Sequence, residues 1–269
     1  MLPKSNIHTH STFGDGRDQP EAMVEAALQL NYHTQGFSEH GCADYCDYGL
    51  TPSTEPAYCS EVLRLREKYA DRISIQLGCE HDWFAPPAEY PYDYVIESVH
   101  YLRRDGEIFD VDYTRPLLEE AVRVHYGGDV YALCRHYFQT VCESCESHAG
   151  VLGHMELVMK FNERRDLFDD ADPRYLKCAL EAADRAAESG KLIEINTGAI
   201  ARGYRTQPYP GPAILRHLAQ RGAQIILTSD CHDARYLDCS FREAAELAKA
   251  CGFTTALERR GSEYVPYTL

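Results

Sequence analysis

The chain has 269 residues, of which 44% are hydrophobic and 26% charged, with a formal net charge of −15. This length fits one large α/β domain, and no apolar run reaches the roughly 18 residues that a membrane-spanning helix needs. The N-terminal residues lack an apolar signal segment, so we expect a soluble cytoplasmic protein that has no membrane partner. The negative charge disfavours nucleic-acid binding, which relies on Lys and Arg, and is compatible with a small cationic substrate.

Eleven cysteines occur, an odd number without framework spacing, and we expect reduced thiols. The tightest pair, Cys142 and Cys145, forms an isolated C-x-x-C in a predicted helix. No second pair completes a tetrahedral zinc site, so we interpret these residues as ordinary helix cysteines, with a structural or redox role as the alternative.

Short apolar or β-branched segments alternate with helical patterns, which is typical of βα units feeding a parallel sheet or barrel. The predicted strands are residues 5–10, 34–38, 73–78, 94–99, 151–154, 192–196 and 223–229, with 254–257 as a possible last strand. The predicted helices are residues 20–30, 61–70, 129–148, 173–189, 212–220 and 241–250. Asp18 is a candidate N-cap of the first helix, in which Pro20 suits the first turn. We expect a single domain over residues 1–269, with an excursion at about 101–150 that covers one edge of the site.

The histidines indicate where the chemistry lies, because many of them follow predicted strands. Half of the twelve lie at or just beyond the carboxyl end of a strand: His8, His10, His40, His100, His154 and His232. Glu80 and Asp230 occupy the same kind of position, and Asp15 closely follows the first strand. In a βα barrel these ends point to one face, so the nine side chains are expected to converge.

The spacing of these residues predicts a metal centre. His8 and His10 lie on the same side of a strand, because side chains alternate with a period of two. Asp230 and His232 repeat that spacing with a carboxylate and an imidazole, a mixed set that suits zinc, iron or manganese. Nine ligands exceed one tetrahedral site, so we expect two or three divalent metal ions, with Glu80 able to bridge two of them.

A lone histidine at a strand end is more often a surface or hydrogen-bonded residue, so the prediction depends on the joint placement. Without metal ions, so many imidazoles and carboxylates at one end of a barrel would carry a large free-energy cost from desolvation and from repulsion between like charges. The other histidines share no placement and are expected to be structural: His33, His81, His125, His136, His148 and His217. His81 is notable among them because it adjoins Glu80.

These residues resemble the polymerase-and-histidinol-phosphatase (PHP) family of phosphoesterases. The matching segments occur in family order over nearly the whole chain: His8-Thr9-His10, Phe13-Gly14-Asp15-Gly16, Gly36-Phe37-Ser38-Glu39-His40, Gly78-Cys79-Glu80, Ser98-Val99-His100, Gly153-His154 and Ser229-Asp230-Cys231-His232. Within the family the chain looks most like the stand-alone histidinol-phosphate phosphatases, on the segments that begin at Ser98, Gly153 and Glu194.

The resemblance implies a distorted (β/α)7 barrel, TIM-like, with a trinuclear metal centre. It implies a first metal held by His8, His10, Glu80 and Asp230, a second held by Asp15, His40 and His232, and a third held by Glu80, His100 and His154. Some family members have a histidine at the position of Asp15. Relatives often have Asp where this chain has Glu156, and Ala where it has Cys231. Neither difference removes a ligand.

The chemistry of such a site favours hydrolysis of a phosphate monoester. Metal ions lower the pKa of bound water and hold the phosphoryl oxygens, while cationic side chains clamp the phosphate. Lys160, Arg202 and Arg205 are the candidate substrate-binding residues, with solvated surface charge as the alternative. The candidate catalytic residues are Asp233, His232 and His81, and the proton donor to the leaving group is left open among Asp233, His81 and a metal-bound water.

The predicted function is hydrolysis of L-histidinol phosphate in histidine biosynthesis, with a small phosphorylated metabolite as the binding partner. The main alternative is a PHP phosphoesterase that acts on another small phosphorylated metabolite, on a nucleotide or on oligonucleotide ends. A non-catalytic metal-binding module ranks lower, because the ligand set is intact and no second domain is recognised. A metal-dependent amidohydrolase ranks third, because no lysine suited to carbamylation stands at a central strand end. The sequence does not define an oligomeric state.

Overall fold

The computed structural model describes residues 2–269, and a long, mostly parallel sheet runs through it. The strands are β1 Ser5–Asn6, β2 Thr34–His40, β3 Ser74–Asp82, β4 Tyr94–Ser98, β5 Tyr101–Arg104, β6 Glu107–Asp110, β7 Val151–Leu152, β8 Leu192–Asn196, β9 Ile225–Thr228, β10 Thr255–Arg260 and β11 Glu263–Thr268. The helices are α1 Pro20–Gln29, α2 Glu55–Lys68, α3 Arg115–Tyr126, α4 Val130–Ser144, α5 Pro173–Glu188, α6 Gly198–Ala201, α7 Pro212–Gln220 and α8 Phe241–Cys251.

The sheet has the order β1-β2-β3-β4-β7-β8-β9-β10-β11, and its neighbours are parallel except for the final antiparallel pair. A parallel bridge between Thr9 and Cys231 joins the segments that follow β1 and β9. The His10 N–H donates to the Cys231 carbonyl at 2.8 Å, and the Cys231 N–H donates to the His8 carbonyl at 3.1 Å. This bridge closes β1, β2, β3, β4, β7, β8 and β9 into a seven-stranded ring.

The β10–β11 hairpin distorts the barrel. β10 pairs with β9 through Leu257 and Ile226, and the Arg259 N–H donates to the Ser5 hydroxyl at the beginning of β1. The hairpin therefore fills the space between the first and seventh strands at their amino ends, while the Thr9–Cys231 bridge holds their carboxyl ends. The predicted distorted (β/α)7 barrel is confirmed. That all of residues 1–269 form one domain stays a prediction.

Each predicted strand has a counterpart in the sheet, and four of them are shorter than predicted: β1, β4, β7 and β9. Regular pairing stops at Asn6 in β1 and at Leu152 in β7, so the histidines after them lie on less regular chain. The central strands are buried and rich in branched apolar residues, as expected of parallel strands covered by helices.

Helix α5 shows why the helical predictions succeed. Asp172 caps the helix by accepting a hydrogen bond from the Arg174 N–H, and Pro173 occupies the first turn. One face is apolar and buried: Tyr175, Cys178, Ala179, Ala182, Ala183 and Ala186. The predicted cap of α1 was wrong, because Gln19 is the N-cap residue and the Asp18 carboxylate instead accepts from the Ala234 N–H at 2.9 Å.

The excursion contains more structure than the single helix predicted for it. A two-stranded hairpin, β5–β6, turns at Asp105 and Gly106, which both have positive φ, and α3 precedes α4. Thr114 caps α3 and Asp129 caps α4 through their side-chain oxygens. Apolar residues of the hairpin and both helices belong to one core cluster with the helices that cover β7, β8 and β9. The excursion is thus packed onto one flank of the barrel.

None of the helices within residues 2–269 is both long enough and apolar enough to cross a membrane.

Candidate metal centre

All nine predicted ligands meet at the carboxyl ends of the barrel strands. His8 and His10 follow β1, His40 ends β2, and Glu80 lies near the end of β3. The others come from four later or connecting segments: Asp15, His100, His154, Asp230 and His232. They form four overlapping groups in which one donor atom of each residue lies within 4.8 Å of the others: His10, Asp15, His40 and His232; His8, His10 and Asp230; His8, Glu80 and His154; and His40, Glu80 and His100.

Glu80 lies at the middle of the cluster. Its Oε2 is 3.2 Å from His8 Nε2, 3.4 Å from His10 Nε2 and 3.0 Å from His40 Nδ1. Its Oε1 is 2.9 Å from His154 Nε2 and also accepts from the Ser98 hydroxyl at 2.7 Å. His100 is the fifth neighbouring imidazole, with Nε2 at 3.3 Å from Oε1. One carboxylate thus contacts five imidazoles and can bridge ions held by different histidines.

Polar atoms without partners indicate that the cluster suits metal ions. Within the described chain, His8 Nε2, both ring nitrogens of His10 and Glu80 Oε2 are buried without a hydrogen-bond partner. Leaving several polar atoms unpaired in one place is costly, and a cation coordinated by them removes that cost. Imidazole and carboxylate donors are suited to zinc, iron or manganese. The arrangement therefore fits the two or three divalent ions predicted from the sequence.

The charges of the site are coupled. Although burial opposes ionisation, the neighbouring imidazoles hold the pKa of Glu80 well below its usual range, and Arg202 and His8 do the same for Asp230. Burial lowers the pKa of His40 to about 3, which leaves its imidazole neutral and able to donate a lone pair. Carboxylate ligands are therefore ionised and at least one imidazole is neutral, as metal binding requires.

A tight turn carries Asp230 into the cluster. Asp230 has φ of 43°, in the left-handed region that non-glycine residues rarely adopt. Gly198, at the start of α6, lies so near that a Cβ at this position would be 2.8 Å from the Cβ of Asp230. A larger residue at position 198 would displace the carboxylate, so the glycine is required by this close approach.

Three further carboxylates are buried beside the ligands and were not predicted as site residues. Glu194 accepts from His8 Nδ1 at 2.5 Å, and Asp82 accepts from the His100 N–H at 2.9 Å. Glu39 accepts from both the N–H and the hydroxyl of Ser11. The available sequence signal was a glutamate within an otherwise apolar strand, as in Leu-Ile-Glu-Ile at residues 192–195.

The cluster forms the floor of a cavity of about 420 Å³. Its walls add acidic, basic and aromatic side chains from the surrounding loops and the excursion: Asp47, Tyr48, Asp112, Tyr113, Leu157, Lys160, Arg202 and Tyr204. A cavity of this size accommodates a small metabolite.

Two of the three predicted substrate-binding residues line this cavity. Arg202 donates to Asp230 Oδ2 at 2.8 Å and to His232 Nδ1 at 2.8 Å, so its guanidinium lies at the edge of the metal cluster. Lys160 also lines the cavity, and its Nζ lies 2.8 Å from Asp112 Oδ2.

Arg205 lies elsewhere. Its guanidinium donates to the Met159 carbonyl at 3.1 Å and pairs with Glu163, and it does not line the cavity. Its predicted contact with substrate has no support in this geometry, because the loop directs the side chain into these structural contacts.

The three candidate catalytic residues are also separated. His232 lies in the cavity wall, with Nε2 at 3.1 Å from Asp15 Oδ2. Asp233 caps the following turn and pairs with Arg235 and Arg17. His81 lies on the opposite face of β3, where Nδ1 is 3.0 Å from Glu97 Oε1 and Nε2 is 3.0 Å from the Pro86 carbonyl. The structure brings only His232 of the three into contact with the cluster.

The C-x-x-C pair lies in and just after α4, away from the metal cluster. Cys142 and Cys145 are free thiols, and Cys145 Sγ donates to the Val141 carbonyl at 3.3 Å. Burial raises the pKa of Cys145 to about 12, which disfavours a reactive thiolate.

Known proteins share both the sequence pattern and this architecture. The PHP domain family matches residues 6–198. A protein of Deinococcus radiodurans named "Probable histidinol-phosphatase" is 29% identical over 274 residues, which covers 96% of each chain. The "Histidinol-phosphatase" of Bacillus subtilis is 25% identical over 259 residues, covering 87% of this chain and 95% of that protein.

A crystal structure gives the same result for the fold. The histidinol phosphate phosphatase of Lactococcus lactis, solved as a complex with zinc, L-histidinol and phosphate, superposes with a TM-score of 0.74 at 23% identity. The alignment covers 98% of this chain and all of that one. Since the family match extends over most of the chain and includes seven of the nine clustered ligands, this protein belongs to the PHP family.

Proposed function

We propose that this protein is a metal-dependent phosphatase that hydrolyses L-histidinol phosphate to L-histidinol and phosphate in histidine biosynthesis. The observation that carries the proposal is a cluster of nine potential metal ligands, six of which line one cavity together with the half-buried Arg202. The relatives named for this activity and the Lactococcus lactis complex with L-histidinol and phosphate support the choice of substrate. The eleven free cysteines fit a cytoplasmic enzyme in a reducing compartment.

The proposed metal sites are the three that the family resemblance implies, and all nine of their residues belong to the observed groups of donors. The first ion would be held by His8, His10, Glu80 and Asp230, the second by Asp15, His40 and His232, and the third by Glu80, His100 and His154. Two donor groups contain Glu80, one with His8 and His154 and one with His40 and His100. Each group contacts both oxygens of Glu80, which suits a carboxylate shared between ions. Divalent zinc, iron or manganese at such a site would activate water and offset the charge of a phosphoryl group.

Different side chains of the cavity are assigned to phosphate binding and to metal coordination. Arg202 offers a planar fork of donors beside Asp230, where it can hold phosphate oxygens next to the cluster. Lys160 adds a second cation at the wall, although its pairing with Asp112 neutralises part of the charge. His232 lies within the cavity as a proposed ligand of the second ion. Of the candidate proton donors, Asp233 and His81 would need to move to reach a substrate there, which favours a metal-bound water.

The outer part of the cavity suits a cationic leaving group. Asp47 is exposed at the rim, without an ion-pair partner among residues 2–269, and Tyr48 lies beside it. Asp112 adds a second carboxylate deeper in the wall. The amino group of L-histidinol is positively charged near neutral pH and its imidazole is a flat aromatic ring, so acidic and aromatic side chains match this end of the molecule.

The first test is phosphate release by the metal-reconstituted protein from four substrates: histidinol phosphate, p-nitrophenyl phosphate, fructose-1,6-bisphosphate and AMP. We expect histidinol phosphate to be preferred by at least about a hundredfold in kcat/KM, or roughly 2.7 kcal/mol of transition-state discrimination. Equal turnover of all four would contradict the substrate assignment while leaving a phosphoesterase site. Preference for AMP would point to nucleotides instead.

The second test concerns phosphate binding by Arg202. Arg202→Ala should raise KM for histidinol phosphate and lower kcat/KM by roughly tenfold to a hundredfold, because a hydrogen bond to a charged group contributes about 1.5–3 kcal/mol. Arg216→Ala is the matched control, since Arg216 is exposed on α7 outside the cavity. Metal content should be measured in both variants, because Arg202 also contacts Asp230. Unchanged kcat/KM in Arg202→Ala would remove this residue from the phosphate site.

A further inference from the structure

The geometry points to Glu194 as a positioning residue that fixes the orientation of the His8 imidazole for metal binding. This inference rests on the proposed function, because it assumes that His8 is a metal ligand. Glu194 lies in the middle of β8, whose residues are all buried, and its own side chain is fully buried. None of the four donor groups that define the metal cluster includes Glu194, so its role is distinct from that of a ligand.

Four hydrogen-bond donors converge on the Glu194 carboxylate. Oε1 lies 2.5 Å from His8 Nδ1 and 2.6 Å from the Thr228 hydroxyl. Oε2 accepts from the His154 N–H at 2.6 Å and from Asn196 Nδ2 at 3.0 Å. A group that must accept from four directions is acceptor-only, and an ionised carboxylate is the side chain that meets this requirement.

This arrangement selects one tautomer of His8. Because the carboxylate only accepts, His8 Nδ1 carries the proton, and the Nε2 lone pair is left for a cation. His8 Nε2 lies 3.2 Å from Glu80 Oε2 and 3.6 Å from Asp230 Oδ1, and it has no hydrogen-bond partner in the described part of the chain. Glu194 therefore holds the ring with its coordinating nitrogen toward the first group of donors.

The same carboxylate joins two groups of ligands. Through Oε1 it contacts the His8 ring after β1, and through Oε2 it holds the backbone at His154 after β7. Both histidines converge on Glu80, with His154 Nε2 at 2.9 Å from Oε1. Ligands contributed by strands on opposite sides of the ring are thus aligned by one residue on β8.

An amide cannot replace the carboxylate in this setting. Glu194→Gln preserves size, but its NH₂ group would face either His8 Nδ1 and Thr228 or the His154 N–H and Asn196, which are donors. If the NH₂ group points toward His8, Nδ1 must accept and the fixed tautomer of His8 is lost. If it points toward His154, it meets a backbone N–H that can only donate, and the backbone there shifts. Partners of this kind typically contribute tenfold to a hundredfold to metal affinity.

The experiment measures zinc binding rather than turnover. Zinc content per chain and zinc affinity, by competition with a chromogenic chelator, are compared among the wild type, Glu194→Gln, His8→Ala and the double variant. We expect Glu194→Gln to lose one tightly bound ion or weaken it by about 10–100-fold. Because Glu194 acts on the first proposed site through His8, the double variant should bind zinc at that site no more than threefold more weakly than His8→Ala. Glu97→Gln is the matched control, since Glu97 is a buried strand glutamate that contacts His81 instead.

Each outcome decides between the inference and the proposed function. Unchanged zinc binding in Glu194→Gln, or a further loss of threefold or more at the first proposed site in the double variant, would overturn the positioning of His8. A wild-type chain that binds no zinc, manganese or iron would overturn the proposed function instead. If Glu194→Gln fails to fold, Glu194→Asp keeps the charge but withdraws the oxygens from His8. Glu194→Asp should show a smaller loss of zinc affinity than Glu194→Gln, and this loss should disappear when the substitution is made in the His8→Ala variant.

Discussion

Replacing Glu80 with Gln should lower kcat/KM for histidinol phosphate by at least about a thousandfold, which corresponds to roughly 4 kcal/mol of transition-state stabilisation. The two oxygens of Glu80 contact five imidazoles, so they serve more than one of the proposed ions. Gln removes the negative charge and has one oxygen in place of two, so it cannot coordinate two ions at once. Loss of an outer partner of a metal ligand typically costs tenfold to a hundredfold, and loss of a shared ligand should cost more.

Two measurements check this expectation. Steady-state kinetics give the loss of kcat/KM, and metal analysis of the purified variant should give fewer ions per chain than the wild type. Glu97→Gln provides the comparison, because Glu97 is also buried on a barrel strand but faces away from the cluster. A Glu80→Gln enzyme with full metal content and activity within tenfold of the wild type would be incompatible with a shared ligand at this position.

The metal cluster was predictable because strand periodicity and barrel topology determine where its side chains point. His8 and His10 are two residues apart, and both face the cluster. The convergence of distant segments followed from the rule that the carboxyl ends of parallel strands form one face. The closed ring of seven strands satisfies this rule, although the first strand becomes irregular before it reaches His8.

The same periodicity explains the position of His81. Glu80 and His81 are adjacent within β3, and adjacent side chains of a strand point to opposite faces. Since Glu80 faces the cluster, His81 faces outward, where Glu97 and Pro86 occupy both of its ring nitrogens. Its closeness to Glu80 in sequence therefore argued against a place in the cavity, and strand alternation could have shown this without a structure.

Loops and the excursion were less predictable, because their direction depends on tertiary contacts rather than on a local period. Arg202 and Arg205 are three residues apart in one connection, yet one reaches the cluster and the other pairs with Glu163. The β5–β6 hairpin was missed because its strands are four residues each and only partly buried. A pattern of that length gives little basis for distinguishing a strand from a loop.

Removing the metal ions should abolish phosphatase activity and lower the melting temperature. Any ion that binds the folded state alone stabilises it by about 2.7 kcal/mol when its concentration is a hundred times Kd. For a chain of this size, that amount corresponds to a fall in Tm of roughly 5–10 °C for each ion lost. This destabilisation should originate at the buried nitrogens of His8 and His10. Within the protein they have no hydrogen-bond partner, so chelation leaves them buried and unsatisfied.

Thermal melts with and without a strong chelator, followed by addition of single metals, provide the measurement. Zinc or manganese should restore both Tm and activity, whereas magnesium should not, because it prefers oxygen ligands and this site is rich in imidazole. Glu80→Gln should respond less to the chelator than the wild type, since it begins with fewer ions. If chelation removed the ions but changed neither Tm nor activity, the clustered histidines would be structural, and the proposed metal dependence of the phosphatase would be wrong.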